Sequence, residues 1–589
     1  MPRAAAARAH AVRARAPARP VENIDIARIF EEIADLLEIQ GQNPFRIRAY
    51  RAAARTIETL TVPAASLASE GRLDELPGIG EDLAGKIQTI LRTGTLPLLQ
   101  QLTAQTPESL VQMLRIPGLG PKRAKQIYDT LHVATLVDLE TAARSGRLRE
   151  LPGIKAATEQ KILVGLASLR GHATRWRLDE ADAYVRPLVA HLKASPAVSR
   201  LEVAGSYRRR KDSVGDVDIL VASARPRTVT RRFTTYRRVK EVRAEGPTRS
   251  ALTLDCGLQV DLRVVPAVSF GSALHYFTGS KSHNIAVRAL GLKHGLKVNE
   301  YGIFRRTRRI GGRTEEEVFK AVGLPWIAPE LREARGEIEA AREGRLPHLI
   351  ELSDIRGDLQ VHTNATDGVN DLAEMVEAAH RCEYEYIAIT DHTKAVRVAG
   401  GLTRAAFQRQ FNAIERLQKR CPDITILKGA EVDILDDGRL DLDDATLAEL
   451  DVVVVAVHSK FNLTRAAMTK RIIRALRHPH VQILAHPTGR LIGRREPYQV
   501  DLDEIFKAAA DHGVAMEINA QPERLDLDDV QARAAHEAGV RLVISTDAHR
   551  VEELHCMRYG VDQGRRAWCE PRHVLNTLSI DKLRSALHR

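Results

Sequence analysis

Residues 201–222 read LEVAGSYRRRKDSVGDVDILVA, two apolar strand-like runs around a polar loop, and two acids in the second run decide how the chain is interpreted. Asp216 and Asp218 are two residues apart. On a strand, where side chains alternate, they face the same side with Cα atoms about 6.6 Å apart. Carboxylates so placed can converge on two cations ~3.5–4 Å apart, the geometry of two-metal phosphoryl transfer. A third acid is needed from a neighbouring strand, and LQVDLRVV at 258–265 offers Asp261 as the polar exception in a β-rich run. An unpaired carboxylate in a core is costly, so Asp261 calls for a metal or a cation.

This arrangement resembles the nucleotidyltransferase superfamily, whose signature is Gly-Ser, a short gap, Asp-x-Asp on a strand, then a separate Asp. Here these are Gly205, Ser206, Asp216, Asp218 and Asp261. YFTGSKSHNIAVRALG at 276–291 and LKVNEYGIF at 296–304 narrow the resemblance to family X DNA polymerases. It implies an α+β palm with a thumb, and a role for each matching residue. Gly205, Ser206 and Arg209 would meet the triphosphate, with Gly279 and Ser280 beside it, Tyr276 and Phe277 at the sugar and Asn284 at the base. Tyr276 and Phe277 would crowd a ribose 2′-hydroxyl and so favour deoxynucleotides. Asp216 and Asp218 would hold two Mg²⁺ or Mn²⁺ ions, Asp261 would help bind the catalytic one and accept the primer 3′-hydroxyl proton, and Arg263 would be the nearby cation.

Working upstream, three segments recur: LPGIGEDLAGKI at 76–87, IPGLGPKRAKQIY at 116–128 and LPGIKAATEQKI at 151–162. In the first two a Gly-x-Gly turn (Gly78 and Gly80, Gly118 and Gly120) opens a helix, turning backbone N–H groups outward at its positive end, a ready phosphate site. The third has Lys155 in place of the second glycine. These segments resemble helix-hairpin-helix motifs, which hold DNA backbones without reading sequence. Before them, Ile26, Ile29, Phe30, Ile33, Leu36 and Leu37 carry helical periodicity. Together with the first hairpin this region resembles the family X lyase domain. Lys86 falls on the position of the Schiff-base lysine, and Tyr50 and Arg46 fit the 5′-phosphate pocket. Asp74 and Asp82, however, stand where well-known lyases of the family carry lysines.

Downstream, GLPWIAPELREARGEIEAAREGRLPHLIEL at 323–352 is a connector with a helical middle and proline breakers at its ends. Beyond it, apolar runs alternate with helical patterns, which predicts βα units around a parallel sheet or barrel. Each run ends in polar residues: His362 with Asp367, Asp391 with His392, Glu431, His458, His486, Glu517 with Asn519, and Asp547 with His549. In a barrel those ends meet at one face, where active sites are built. A His/Asp/Glu set without cysteine suits zinc, manganese or iron. This part resembles the polymerase and histidinol phosphatase (PHP) domain, a distorted (β/α)7 barrel. The resemblance implies up to three ions, Mn²⁺ and/or Zn²⁺, on His362, Asp367, His392, Glu431, His458, His486, Asp547 and His549. Gln360 stands in place of a ninth ligand, normally histidine. Three arginines in HPTGRLIGRR at 486–495 are positioned to contact a strand being cut.

The predicted organisation is a disordered basic tail (1–20), a lyase-like helical domain (21–100), a further helix-hairpin-helix region (101–175), palm (176–270), thumb (271–325), linker (326–352) and barrel (353–589). At 589 residues the chain exceeds any single core. Residues 1–350 carry 56 Lys+Arg against 38 Asp+Glu and residues 351–589 carry 32 against 38, so the halves are +18 and −6. The basic half suits nucleic acid. Five cysteines without CxxC spacing exclude a disulfide framework or a thiolate zinc site, and no apolar run is long enough to span a membrane. The expectation is a cytoplasmic, nucleoid-associated bacterial monomer acting on gapped or nicked duplex DNA with deoxynucleoside triphosphates. It would fill short gaps in repair and process 3′ ends by a 3′-5′ exonuclease activity. The alternatives are a polymerase whose barrel is only a phosphomonoesterase, and a DNA-end-binding scaffold with slow catalysis.

Overall fold

The computed structural model describes residue 21, most of 23–163, and 175–587; 59–63, 77, 106–112, 114–118, 120, 134, 152–153, 155–157 and 160–161 fall outside it. The chain divides into two compact units, Met1–Thr174 and Arg175–Arg589.

The first unit is helical. The six apolar residues spaced three and four apart between Ile26 and Leu37 are all buried on one face of the helix Asn23–Ile39, which packs against Pro44–Glu58. A third long helix, Glu81–Thr93, begins after Gly80 and stops where Gly94 turns left-handed (φ 75°), a conformation glycine adopts without a Cβ penalty.

The second unit begins with seven strands: β1 (Trp176–Arg177), β2 (Arg200–Val203), β3 (Ser213–Val214), β4 (Asp216–Ala222), β5 (Val239–Glu245), β6 (Arg249–Leu254) and β7 (Gln259–Val265). β1 pairs with β3, and the other five form a mixed sheet in the order β2-β4-β7-β6-β5. Only β4 and β7 run parallel, and that pairing sets the register of the acids. A small antiparallel sheet follows, β8 (Lys297–Asn299), β9 (Gly302–Arg305) and β10 (Arg308–Gly311).

Seven parallel strands then follow in sequence order, β11 (Gly357–Val361), β12 (Tyr386–Ile389), β13 (Thr425–Asp433), β14 (Val452–Ala456), β15 (Ile483–Leu484), β16 (Ala515–Asn519) and β17 (Leu542–Ser545). They are almost wholly buried on both faces and mostly apolar, as strands covered inside and out must be. The sheet nearly closes: His362 donates its backbone N–H to the Ala548 carbonyl (2.8 Å), and Asp547 donates to the Gln360 carbonyl (3.0 Å). The result is a seven-stranded parallel barrel with consecutive strands adjacent.

Buried charge ties the barrel to the palm and the connector. Arg566 donates to the Arg209 carbonyl (2.6 Å), to Glu333 (3.1 Å) and to Asp529 (2.5 Å), and Arg335 also reaches Asp529 (2.7 Å). Burial would raise Glu333, yet Arg566 and Arg209 hold it at about 2. The connector is itself folded: Arg332, fully buried, forms a fork-like pair with Glu315. Breaking a buried pair from one side costs ~3–5 kcal/mol because the remaining charge is stranded. Arg566→Ala is therefore expected to lower the urea midpoint of the second unit strongly. Arg494→Ala, which removes only an exposed partner of Glu523, should change the free energy of unfolding by no more than ~0.5 kcal/mol, with both read by fluorescence or circular dichroism.

Candidate active sites

The palm acids meet because β4 and β7 are parallel neighbours with Asp218 directly opposite Asp261; Asp216, two residues before Asp218, shares that face. Gly205 allows the loop to close over them: at its φ of +65° an added Cβ would lie 2.8 Å from Asp218 Oδ2. Burial, then the charges of Asp216 and Asp261, push Asp218 up to about 7, against the pull of Arg263 and Arg209. Burial also raises Asp261, although Arg249 and Arg263 oppose it, and its buried Oδ1 has no hydrogen-bond partner. Three crowded carboxylates with an unpartnered oxygen fit divalent cations, whose binding would relieve the repulsion.

Around this face, the Arg263 guanidinium lies 5.2 Å from the Phe277 ring centroid, and Phe277 packs edge-on against Tyr276. Arg209 Nη1 donates to the Thr278 carbonyl (2.5 Å), its Nε donates to Glu333 (2.9 Å), and a Cβ on Gly279 would lie 3.2 Å from Nη1. Arg209 and Gly279 are thus neighbours, as the triphosphate role requires. Ser206 sits in the short helix Gly205–Arg208, while Ser280 caps Lys281–Lys293 through the His283 N–H. Asn284 Nδ2 donates to the Tyr276 carbonyl (2.6 Å) and leaves its buried Oδ1 without a partner. Glu315 in the thumb and Arg332 and Glu333 in the connector, which brace this region, carry no local sequence signal and read as ordinary surface charges.

At the barrel mouth all eight expected ligands come together. Glu431 is the centre: Oε1 lies 3.0 Å from Nε2 of both His458 and His486, and Oε2 lies 3.3 Å from His362 Nε2 and His392 Nδ1. Asp547 is 3.1 Å from His362, and Asp367 lies between His392 (3.5 Å) and His549 (3.4 Å). Three sets of ligand atoms could each hold an ion: His362, Asp367, His392 and His549; His392, Glu431 and His458; His362, Glu431 and Asp547. His486 joins them through Glu431. Burial would lower His362, but Asp547 and Glu431 raise it well above the usual imidazole value; His458, where burial is likewise outweighed by Glu431, rises to about 9. Buried nitrogens of His362 and His392 and Glu431 Oε2 lack hydrogen-bond partners, so the donor set fits divalent cations. Gln360 is fully buried on β11 with both amide atoms unpartnered.

Three strand-end acids do other work. Asp391 accepts from the Thr363 N–H (2.9 Å) and hydroxyl (2.7 Å), from Thr366 (2.5 Å) and from Gln410 (2.5 Å), which fixes the turn after β11. Asp433 lies 3.1 Å from His458 Nδ1 and orients that ring. Glu517 accepts the His486 N–H (2.6 Å). Of the three arginines in 486–495, Arg490 is spent on Asp212 and the carbonyls of 524 and 525, Arg494 pairs with Glu523 at the surface, and only Arg495 lines the cavity beside the cluster. Phe461 and Arg524, also in that wall, were missed in the sequence because neither belongs to a motif.

In the first unit Gly78 is left-handed (φ 78°) and Gly80 caps the helix, but acidic Glu81 and Asp82 occupy its first turn. Gly118, Gly120 and Lys155 lie outside the described residues. Lys86 pairs with Asp82 and lies 5.2 Å from the Tyr50 ring centroid. Burial would lower its pKa, yet Asp82 and Tyr50 raise it, the opposite of what an amine nucleophile needs.

Comparison with known proteins matches each part. Helix-hairpin-helix models match 21–96 and 110–168, the DNA polymerase beta palm 175–259, the DNA polymerase beta thumb 273–333, and the PHP domain 358–521. DNA polymerase lambda of Rattus norvegicus is 26% identical over 343 residues, 53% of this chain and 56% of that one. A probable phosphatase of Thermoanaerobacter sp. (strain X514) is 29% identical over 205 residues, 33% of this chain and 78% of that one. The DNA polymerase/3′-5′ exonuclease PolX of Bacillus subtilis (strain 168) is 37% identical over 571 residues, 96% of this chain and 99% of that one. With helical motifs, palm, thumb and PHP barrel in the same order along nearly its full length, the chain belongs to the PolX family, the family X DNA polymerases with a C-terminal PHP domain.

Proposed function

We propose that the protein is a DNA-directed DNA polymerase that fills short gaps in repair, and that its barrel is a metal-dependent 3′-5′ exonuclease that processes the same ends. The observation that carries this is the presence, in one chain, of the Asp216–Asp218–Asp261 face and a separate cluster around Glu431, seven residues in cation-sized sets with His486 joined through Glu431. Mg²⁺ or Mn²⁺ suits the first set, and Mn²⁺ and/or Zn²⁺, up to three ions, suits the second. Divalent cations at either site would neutralise phosphate charge and polarise the phosphorus.

The protein's own groups then have defined tasks. Arg209, beside Gly279, exchanges Glu333 for the triphosphate, with Gly205, Ser206 and Ser280 nearby. Tyr276 and Phe277 exclude a 2′-hydroxyl, Asn284 faces the base, and Asp261 takes the primer 3′-hydroxyl proton. In the barrel, Asp433 orients the His458 ring and Asp391 fixes the turn after β11 while His362, Asp367, His392, Glu431, His458, His486, Asp547 and His549 gather the cations. Gly78, Gly80, Gly118 and Gly120 hold the DNA backbone. A cytoplasmic monomer working on nucleoid DNA suits these tasks.

A second reading, a barrel that removes only terminal phosphates, is favoured by the probable phosphatases that match this part. Product length separates the two. On a 5′-labelled primer at a one-nucleotide gap with Mn²⁺, the expected result is extension by one with nucleotides and a shortening ladder without them. Loss of a terminal phosphate with no shortening would select the phosphatase, and no reaction at all would select the scaffold. Replacing Asp216 and Asp218 together by Ala should cut synthesis by about 10³-fold or more and spare shortening, with His392→Ala doing the reverse. Loss of both activities in either variant would rule out separate sites.

Cation binding is also expected to appear as stability, since a ligand bound only by the folded state raises the melting temperature. Mn²⁺ should raise the melting point of the chelator-treated protein by several degrees, and Glu431→Gln should remove most of that shift in differential scanning fluorimetry.

For Lys86, the Asp82 carboxylate holds the amine charged, so abasic-site lyase activity should be weak. Asp82→Asn, by lowering the Lys86 pKa, should increase borohydride trapping on abasic DNA several-fold, and Lys86→Ala should abolish it. Equal trapping in all three proteins would remove Lys86 as the nucleophile.

A further inference from the structure

A cavity of about 810 Å³ opens beside the barrel cluster, with His458 and His486 in its wall. Sites that hold small organic ligands span ~300–1,000 Å³, so a single nucleotide fits. Part of the wall is layered, with Tyr498 behind Phe461. Tyr498, buried, donates its hydroxyl to the Pro487 carbonyl (2.6 Å), and Phe461 stacks against it with ring centroids 6.0 Å apart and planes at 17°. The Arg495 guanidinium lies 4.3 Å from the Phe461 centroid, with its Nε donating to the Gly489 carbonyl (2.8 Å). A planar cation on a backed aromatic ring is the kind of surface on which nucleic-acid bases stack.

The charge in the wall fits the rest of a nucleotide. Arg524 lies 3.5 Å from Asp547, a cluster ligand, so its guanidinium reaches the place where a phosphate on the cluster would sit. Arg495 forms no ion pair among the described residues, and burial together with the Arg524 charge lowers its proton affinity. The wall also carries Asp433, Asp436 and Asp437, with Asp437 paired to Arg439 and Asp433 held to His458, and Arg495 and Arg524 are cations of the same wall that can receive an anion. Ala395, Val396, Leu435 and Val457 add apolar wall, together with the almost fully exposed Val398.

The geometry points to this cavity as the seat of the 3′-terminal nucleotide, with its base against the Phe461–Arg495 layer and its 5′-phosphate between Arg524 and the cluster. The inference rests on reading the barrel as a 3′-end hydrolase. Water adds to that phosphorus, the bond to the 3′ oxygen of the preceding nucleotide breaks, and that oxygen takes the proton, so a 5′-mononucleotide leaves from the cavity. Phe461 and Arg495 set the preference for an end that carries a base.

The test compares single-stranded oligonucleotides ending in thymidine or in a tetrahydrofuran abasic residue, cut by the full-length protein in Mn²⁺. In the unmodified protein, removing the terminal base should lower kcat/KM by about 10-fold, within what one base–aromatic stack supplies. In Phe461→Ala that penalty should shrink to about 2-fold or less. Phe461→Tyr, which keeps a ring, should restore it, separating loss of the ring from loss of the fold. Binding is read independently by quenching of a 3′-terminal 2-aminopurine in Ca²⁺, strong for the unmodified protein and Phe461→Tyr and weak for Phe461→Ala. An equal base penalty in all three proteins, or none in the unmodified one, overturns the assignment. If the unmodified protein does not shorten DNA at all, the exonuclease reading fails. The quenching then decides the site: a difference between the unmodified protein and Phe461→Ala keeps it, and equal signals remove it.

Discussion

Glu431 is a buried carboxylate with imidazole nitrogens of His362, His392, His458 and His486 within 3.3 Å. A charge this far from water is tolerated only when it is paired, and buried imidazole nitrogens without other partners, as on His362 and His392, are tolerated only when something takes their lone pairs. Much of the barrel follows from that requirement. Four strands must end together for the histidines to converge, and the outer acids Asp391, Asp433 and Glu517 must hold turns and rings so that the convergence is kept. The near closure of β11 on β17 brings His362, at one end of the strand order, to Asp547 at the other.

The palm solves a similar problem with fewer groups. Asp216, Asp218 and Asp261 repel one another, and burial pushes Asp218 up to about 7. No imidazole shares the load, so the three carboxylates and the nearby Arg263 and Arg209 set the charge of the site. This suits a reaction in which a triphosphate arrives bringing charge of its own.

Between them lies the Arg566 junction. Glu333 accepts from both Arg209 and Arg566, while Arg566 also holds the Arg209 carbonyl, so the arginine expected at the triphosphate is braced by a residue from the barrel. Against burial, Arg566 and Arg209 hold Glu333 at about 2. Palm, connector and barrel form one compact unit because their buried charges balance only when all three are in place.

The sequence by itself determined the class of each part. The period-two acids at 216 and 218, the lone acid at 261 and seven apolar runs each ending in polar residues were legible because they follow local rules: strand alternation, and the meeting of parallel strand ends at one barrel face. The repeated Pro-Gly turns and the spacing from Ile26 to Leu37 marked the helical unit for the same reason. The tertiary structure alone decided which strand end did which job. Asp391 ends a strand beside the ligand His392 and braces the turn after β11, and Lys86 sits on the lyase position yet pairs with Asp82. Phe461, Arg524, Glu333 and Arg566 belong to no motif, because what they do depends on neighbours scores or hundreds of residues away. Periodicity is a property of adjacent residues, whereas the balance of buried charge and the shape of a cavity are set only when distant segments pack.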